Sequence, residues 1–139
     1  MDCIFCKIAN GEIDSAKVFE NEKIFAFLDI NPLTRGHCLV VPKQHFENIF
    51  DIDKDMLKEI IVIAKEISEK IKRSLGAKGV NLLNSNGKEA EQSVFHFHLH
   101  IVPRYEDDGR KITTDSTELK GVALEELKDL AEEIRNKNI

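Results

Sequence analysis

Residues 94–103, Val-Phe-His-Phe-His-Leu-His-Ile-Val-Pro, alternate apolar and imidazole side chains with a period of two. A helix would scatter these side chains around its axis. An extended strand puts Phe95, Phe97, Leu99 and Ile101 on one face and His96, His98 and His100 on the other. Packing does not call for a row of imidazoles spaced about 7 Å apart, so the strand needs a core on one side and a working surface on the other.

The rest of the chain supplies partners for such a strand. Residues 24–30 (IFAFLDI) form an aliphatic and aromatic strand candidate, followed by turn chemistry at Asn31-Pro32 and Gly36. His37 to Val41 is a second strand, closed by Pro42, which cannot donate to a ladder. From Asp53 the period changes to three and four at Met56, Leu57, Ile60, Ile61, Ala64, Ile67, Ile71 and Leu75. This predicts a helix of about 20 residues with Asp53 or Asp55 as N-cap and Gly76 as its stop. Residues 79–84 are a third strand and 93–102 a fourth, and the short loop between them implies antiparallel pairing. After a polar stretch beyond Arg104, Val122, Leu124, Leu127, Leu130, Ala131 and Ile134 predict a second helix. The grouping points to an α+β fold with a mostly antiparallel sheet and helices on one face.

The chain has 139 residues, 42% of them hydrophobic, and no Pro/Gly/Ser linker divides it, so one domain over 1–139 is expected. A net charge of −5 argues against a nucleic-acid-coating surface but leaves room for a small anion bound locally. No apolar run approaches the roughly 18–20 residues of a membrane span, and MDCIFCKIANG lacks the pattern of a secretory leader. The expected compartment is the cytoplasm. There, Cys3, Cys6 and Cys38 serve metal binding, redox chemistry or packing, not a structural disulfide.

Three readings of the histidine row stand open: a three-histidine metal site, a nucleophile with acid and base partners, or a mixture. Collinear imidazoles reach a common point about 2.0–2.1 Å away readily in twos, not threes, so the row divides its labour. Cys3 and Cys6 are spaced as Cys-x2-Cys, a common half of a zinc site that by itself only suggests one, with His45 and His96 available as further ligands and simple packing the other reading. Cys38 is most simply a core residue, and Lys43 and Arg104 read as solvated.

His96-Phe97-His98-Leu99-His100-Ile101-Val102, together with IFCKIANGEI, FAFLDINPLTRGHCLVVPKQH and EQSVFH in this order, resembles the histidine triad (HIT) family of nucleotide-binding hydrolases and transferases. The resemblance covers residues 3 to about 104, leaving 105–139 as a C-terminal extension. It implies a five-stranded antiparallel sheet with a long central helix, and a homodimer. By the same resemblance His98 attacks the α-phosphorus of a purine nucleotide, forming a nucleotidyl-histidine that water hydrolyses. Adenosine phosphoramidates and dinucleoside polyphosphates are the implied substrates. His100, His37 and Ser93 would serve the phosphate and the leaving group, Gln92 would touch phosphate, and Asp29 would bind the ribose hydroxyls. The purine would rest among Ile4, Phe5, Phe27 and Ile30. Structural Zn²⁺ on Cys3, Cys6, His45 and His96 is implied as well. Two positions depart from the family pattern. Ser85 stands where an Asn commonly touches phosphate, with Asn84 and Asn86 beside it to substitute. Glu91 stands where Gly is usual, and its carboxylate could lower affinity or alter leaving-group choice. These departures motivate an alternative, a non-catalytic nucleotide-sensing or partner-binding module.

Overall fold

A computed structural model describes residues 2–112 and 121–136. The elements run α1 (Ile4–Ala9), β1 (Lys17–Glu20), β2 (Ile24–Leu28), β3 (Cys38–Pro42), α2 (Lys54–Leu75), β4 (Gly79–Leu83), β5 (Leu99–Arg104) and α3 (Leu124–Asn136). The strands form one antiparallel sheet in the order β1-β2-β3-β5-β4. This is the five-stranded α+β architecture the resemblance implies.

Helix α2 follows its sequence signals closely. Asp53 is the N-cap, its side chain accepting from the Met56 N–H at 2.7 Å, and Gly76 ends the helix at φ +73° in the left-handed region that glycine enters freely. Its stripe of Met56, Ile60, Ala64, Ile67 and Ile71 packs on Ile24, Ala26, Cys38, Val40, Leu99 and Ile101 of the sheet. Burying each large apolar side chain contributes about 1.5–3 kcal/mol.

The other face of the sheet differs from the one-sided expectation. Phe25, Phe27, Leu39 and Val41 pack against Cys3, Phe5, Ile8 and Ala9, so α1 covers that face. Six residues give too little periodicity to announce this helix; its N-cap is Cys3, whose Sγ lies 3.3 Å from the Cys6 N–H. Strand β1 is also absent from the sequence reading, because KVFE is a short, polar edge with a register shift between Lys17 and Phe19.

The predicted fourth strand begins only at Leu99. Residues 93–98 are irregular, held by Phe97 N–H donating to Phe46 O and by the Asn84 amide donating to His98 O. The side-chain alternation survives over this stretch. Phe97, Leu99 and Ile101 enter the α2 core, while the Phe5 ring of the opposite layer stands edge-on to His96 and His98. Phe95, placed with the packed residues in the sequence reading, is 45% exposed because the chain has not yet joined the sheet. Helix α3 matches the predicted spacing, and Leu124, Leu127, Leu130 and Ile134 are exposed.

Candidate active site and metal centre

His37 enters the site from the turn before β3. Gly36 holds φ +89°, a conformation that favours glycine, and a Cβ there would lie 2.7 Å from Leu75 Cδ1, so any other residue would also push that methyl aside. The Leu33 N–H donates to His37 Nδ1 at 3.0 Å, so that nitrogen carries no proton. His37 Nε2–H therefore donates to His100 Nδ1 at 2.9 Å, which leaves the His100 proton on Nε2. His98 is set the opposite way. Its Nδ1–H donates to His96 O at 2.8 Å, and its Nε2 keeps a bare lone pair. Two backbone groups thus assign the tautomers, and the His98 and His100 rings stand 5.0 Å apart.

Burial holds all three imidazoles below their usual protonation range, His100 down to about 4. The nearby Asp29 carboxylate pulls the other way on each, less strongly than desolvation. Asp29 Oδ2 lies 3.7 Å from His37 Nε2, and Oδ1 accepts from the Asn31 N–H at 2.8 Å. Asp29, His37 and His100 also bring three potential metal-ligating atoms within 4.8 Å of one another. The Leu33 N–H argues for a hydrogen-bonded relay there, because a metal on His37 Nε2 would force a proton onto Nδ1, facing a donor.

The second cluster joins α1 to the residues flanking β3 and β5. Cys3, Cys6, His45 and His96 bring their ligating atoms within 4.8 Å of one another. His45 Nδ1 and His96 Nδ1 are 3.2 Å apart, and the Sγ–Nδ1 approaches are 3.3–3.4 Å. His96 Nε2–H donates to Pro42 O at 2.8 Å, turning an unprotonated Nδ1 toward the thiols. Burial holds His96 neutral, down to about 4, and together with neighbouring Cys3 pushes the Cys6 thiol up to about 11. Four soft and borderline donors converging in this way could hold a tetrahedral ion. Cys38 stands apart, fully buried, its thiol pushed up to about 12 by burial, and serves packing.

Residues expected around a nucleotide are placed more variously. Phe5 and Phe27 are buried and meet edge-to-face at 5.6 Å, whereas Ile4 and Ile30 are 50% and 91% exposed, so the four do not form an enclosed cage. Ser93 is exposed, five residues before His98 in the chain. Gln92 is buried with its amide fully used: Nε2 donates to Glu47 O and Val94 O, and Oε1 accepts from Gly87 N–H and Asn48 Nδ2. That leaves Gln92 no free donor for a phosphate. Asn84 binds His98 O, which sequence reasoning had no means to find. Arg104 is not a solvated side chain; it forks onto Asp108 and reaches Asn81, and Lys43 is bonded to Glu20.

The HIT domain family model matches residues 10–107. The chain belongs to the histidine triad family. It is 48% identical over 125 residues to an uncharacterized HIT-like protein of Methanocaldococcus jannaschii, covering 90% of this chain and 95% of the relative. It is 37% identical over 138 residues to an adenosine 5'-monophosphoramidase of Schizosaccharomyces pombe, covering 99% and 98%. Among solved structures, a HIT family member from Bacillus subtilis superposes with TM-score 0.91 at 40% identity, covering 100% and 99% of the two chains. A zinc-bound histidine triad family protein from Mycobacterium smegmatis gives TM-score 0.78 at 36% identity, covering 84% and 85%.

The HIT match starts after Cys3 and Cys6, so half of the candidate metal centre lies outside the matched residues. Glu91 sits at φ +64° in the left-handed region, a conformation that glycine enters more freely than a residue with a side chain. No helix among the described residues is long and apolar enough to cross a membrane.

Proposed function

We propose that this HIT protein is a purine-nucleotide hydrolase that cleaves at the α-phosphorus through a covalent nucleotidyl-His98. The observation that carries this reading is the tautomer pair: a bare Nε2 on His98 beside an Nε2–H on His100. The His98 lone pair attacks phosphorus, and the bond from phosphorus to the leaving atom breaks with its electron pair departing. That pair takes a proton delivered from water, while the neutral His100 Nε2–H donates a hydrogen bond to the departing atom. The phosphorylated His98 ring keeps its Nδ1 proton, so it is an imidazolium and a good leaving group. Water attacks the phosphorus in the second step; its oxygen stays on phosphorus, its proton goes to solvent, and the electrons of the phosphorus–nitrogen bond return to His98. His37 orients His100, Asp29 meets the ribose hydroxyls, Ser93 contacts the phosphate, and Phe5, Phe27, Ile4 and Ile30 offer apolar surface to the purine. The relationship to a yeast adenosine 5'-monophosphoramidase supports a phosphoramidate substrate.

Cys3, Cys6, His45 and His96 would hold a structural zinc ion. Tetrahedral bonds of about 2.0–2.1 Å to nitrogen and 2.3 Å to sulfur require N···N and S···N edges of about 3.3 and 3.6 Å, close to those observed. With four protein ligands such an ion would have no open position for water, and Cys3, Cys6, His45 and His96 would through it tie α1 to the segment bearing the nucleophile. A homodimer is part of this reading, and sedimentation tests it.

The deciding experiment is acid-quenched intact-mass spectrometry with adenosine 5'-phosphoramidate. Wild type should gain one nucleotidyl group that His98→Ala lacks, with AMP binding retained. Turnover retained in His98→Ala would refute covalent catalysis at this residue. AMP binding without any turnover in wild type would favour the sensing module.

A further inference from the structure

The β4–β5 ladder ends at the pair Leu83 and His100, just short of the nucleophile, so the His98 carbonyl has no strand partner. A side chain replaces it. Asn84 Nδ2 donates to His98 O at 2.9 Å, Asn84 Oδ1 accepts from Asn86 Nδ2, and Asn86 Oδ1 accepts from the Ile49 N–H at 2.7 Å. The Ile49 loop is itself fixed. Asp51 accepts from the Glu47 and Asn48 N–H groups at 3.0 and 2.9 Å, and Gln92 Nε2 donates to Glu47 O at 2.7 Å. An unbroken run of hydrogen bonds therefore connects this loop to the backbone of the residue that must hold a lone pair in line with phosphorus.

We propose that Asn84 and Asn86 are positioning residues: a side-chain continuation of the β4–β5 ladder that holds the His98 carbonyl and couples it to the 47–51 loop, in place of the phosphate contact expected at this part of the chain. The proposal rests on the nucleotidyl-histidine reading above. The site needs a rigid carbonyl where the strands splay, and a half-buried amide supplies one with no second strand in the way of the ligand. Each amide spends an Nδ2–H within the chain, Asn84 on His98 O and Asn86 on Asn84 Oδ1, and each Oδ1 accepts from protein, so both side chains are oriented by the fold.

The test compares Asn84→Ala, Asn86→Ala and the double variant in three measurements. These are the single-turnover rate of nucleotidyl-His98 formation at saturating adenosine 5'-phosphoramidate, the AMP Kd, and the imidazole ¹⁵N resonances of His98. Each single variant should slow adduct formation about 3- to 10-fold, the worth of one net hydrogen bond. The double variant should be no slower than Asn84→Ala, the AMP Kd should stay within about 2-fold, and the His98 resonances should shift in both single variants. A raised Kd with an unchanged saturating rate would make these residues phosphate contacts and overturn the proposal, as would additive losses. If wild type forms no adduct, the catalytic reading alone fails. The His98 resonances and the AMP Kd then decide: shifted resonances at constant Kd support positioning, and unshifted ones overturn it. Should Asn84→Ala fail to fold, Asn86→Asp keeps the acceptor for Ile49 and loses the donor to Asn84, and carries the same test.

Discussion

Replacing Gly36 by alanine probes the turn that delivers His37. The residue holds φ +89°, and the added Cβ would sit 2.7 Å from Leu75 Cδ1 and 3.4 Å from Pro103 Cγ. A left-handed backbone costs a non-glycine residue roughly 1–2 kcal/mol. Overpacking adds about 1–3 kcal/mol, at the lower end here because the Leu75 methyl is the far end of a flexible, half-buried side chain. Alanine's smaller unfolded-state entropy returns about 0.4–1 kcal/mol. The balance is about 1–2.5 kcal/mol of destabilisation, which for a chain of this size lowers Tm by about 4–9 °C. Differential scanning calorimetry of Gly36→Ala against Gly36→Ala/Leu75→Ala separates the two contributions. Removing Leu75 relieves the contact and leaves the backbone strain, so the alanine penalty should shrink but persist when measured against Leu75→Ala alone. A Tm within about 2 °C of wild type, well below the predicted shift, would refute the reasoning.

Three further outcomes follow from the site. Cys6→Ser removes one donor of the Cys3/Cys6/His45/His96 cluster, so native mass should lose one zinc ion and Tm should fall; an unchanged mass and Tm would remove the ion from the account. Because His37, His98 and His100 are depressed in the folded state, the unfolded chain binds more protons between its ordinary imidazole range and the folded values. Stability from these groups is present above about pH 6.5 and is lost as pH falls toward the folded values, as urea titrations at several pH values would reveal, and the kcat profile should fall on the same side as the His98 lone pair is protonated. Glu91→Gly relieves the residue at φ +64°, and after the glycine entropy penalty Tm should rise by roughly 2–3 °C with tighter AMP binding by calorimetry; a lower Tm would contradict the strain.

Much of the scaffold was legible from local chemistry. The stripe, cap and stop of α2 are written in Met56 to Ile71, Asp53 and Gly76, and the structure uses each as the periodicity implies. The alternation from Phe97 to Ile101 likewise separates a packed face from a histidine face. Helix α1 was not legible, since six residues carry no period and its formation depends on the sheet face it covers. The start of β5 was misplaced because Phe97 N–H and His98 O find partners in Phe46 and Asn84, far away in sequence.

Sequence by itself determined which residue types meet on one face of the sheet, because a strand's period of two is a property of the backbone. Only the tertiary structure decided what each histidine is. Leu33 N–H, His96 O and Pro42 O set the protonated nitrogen of His37, His98 and His96, and through His37 that of His100. An imidazole's role depends on which nitrogen carries the proton. That choice belongs to the partners folding brings within hydrogen-bond reach, and no spacing in the chain records it.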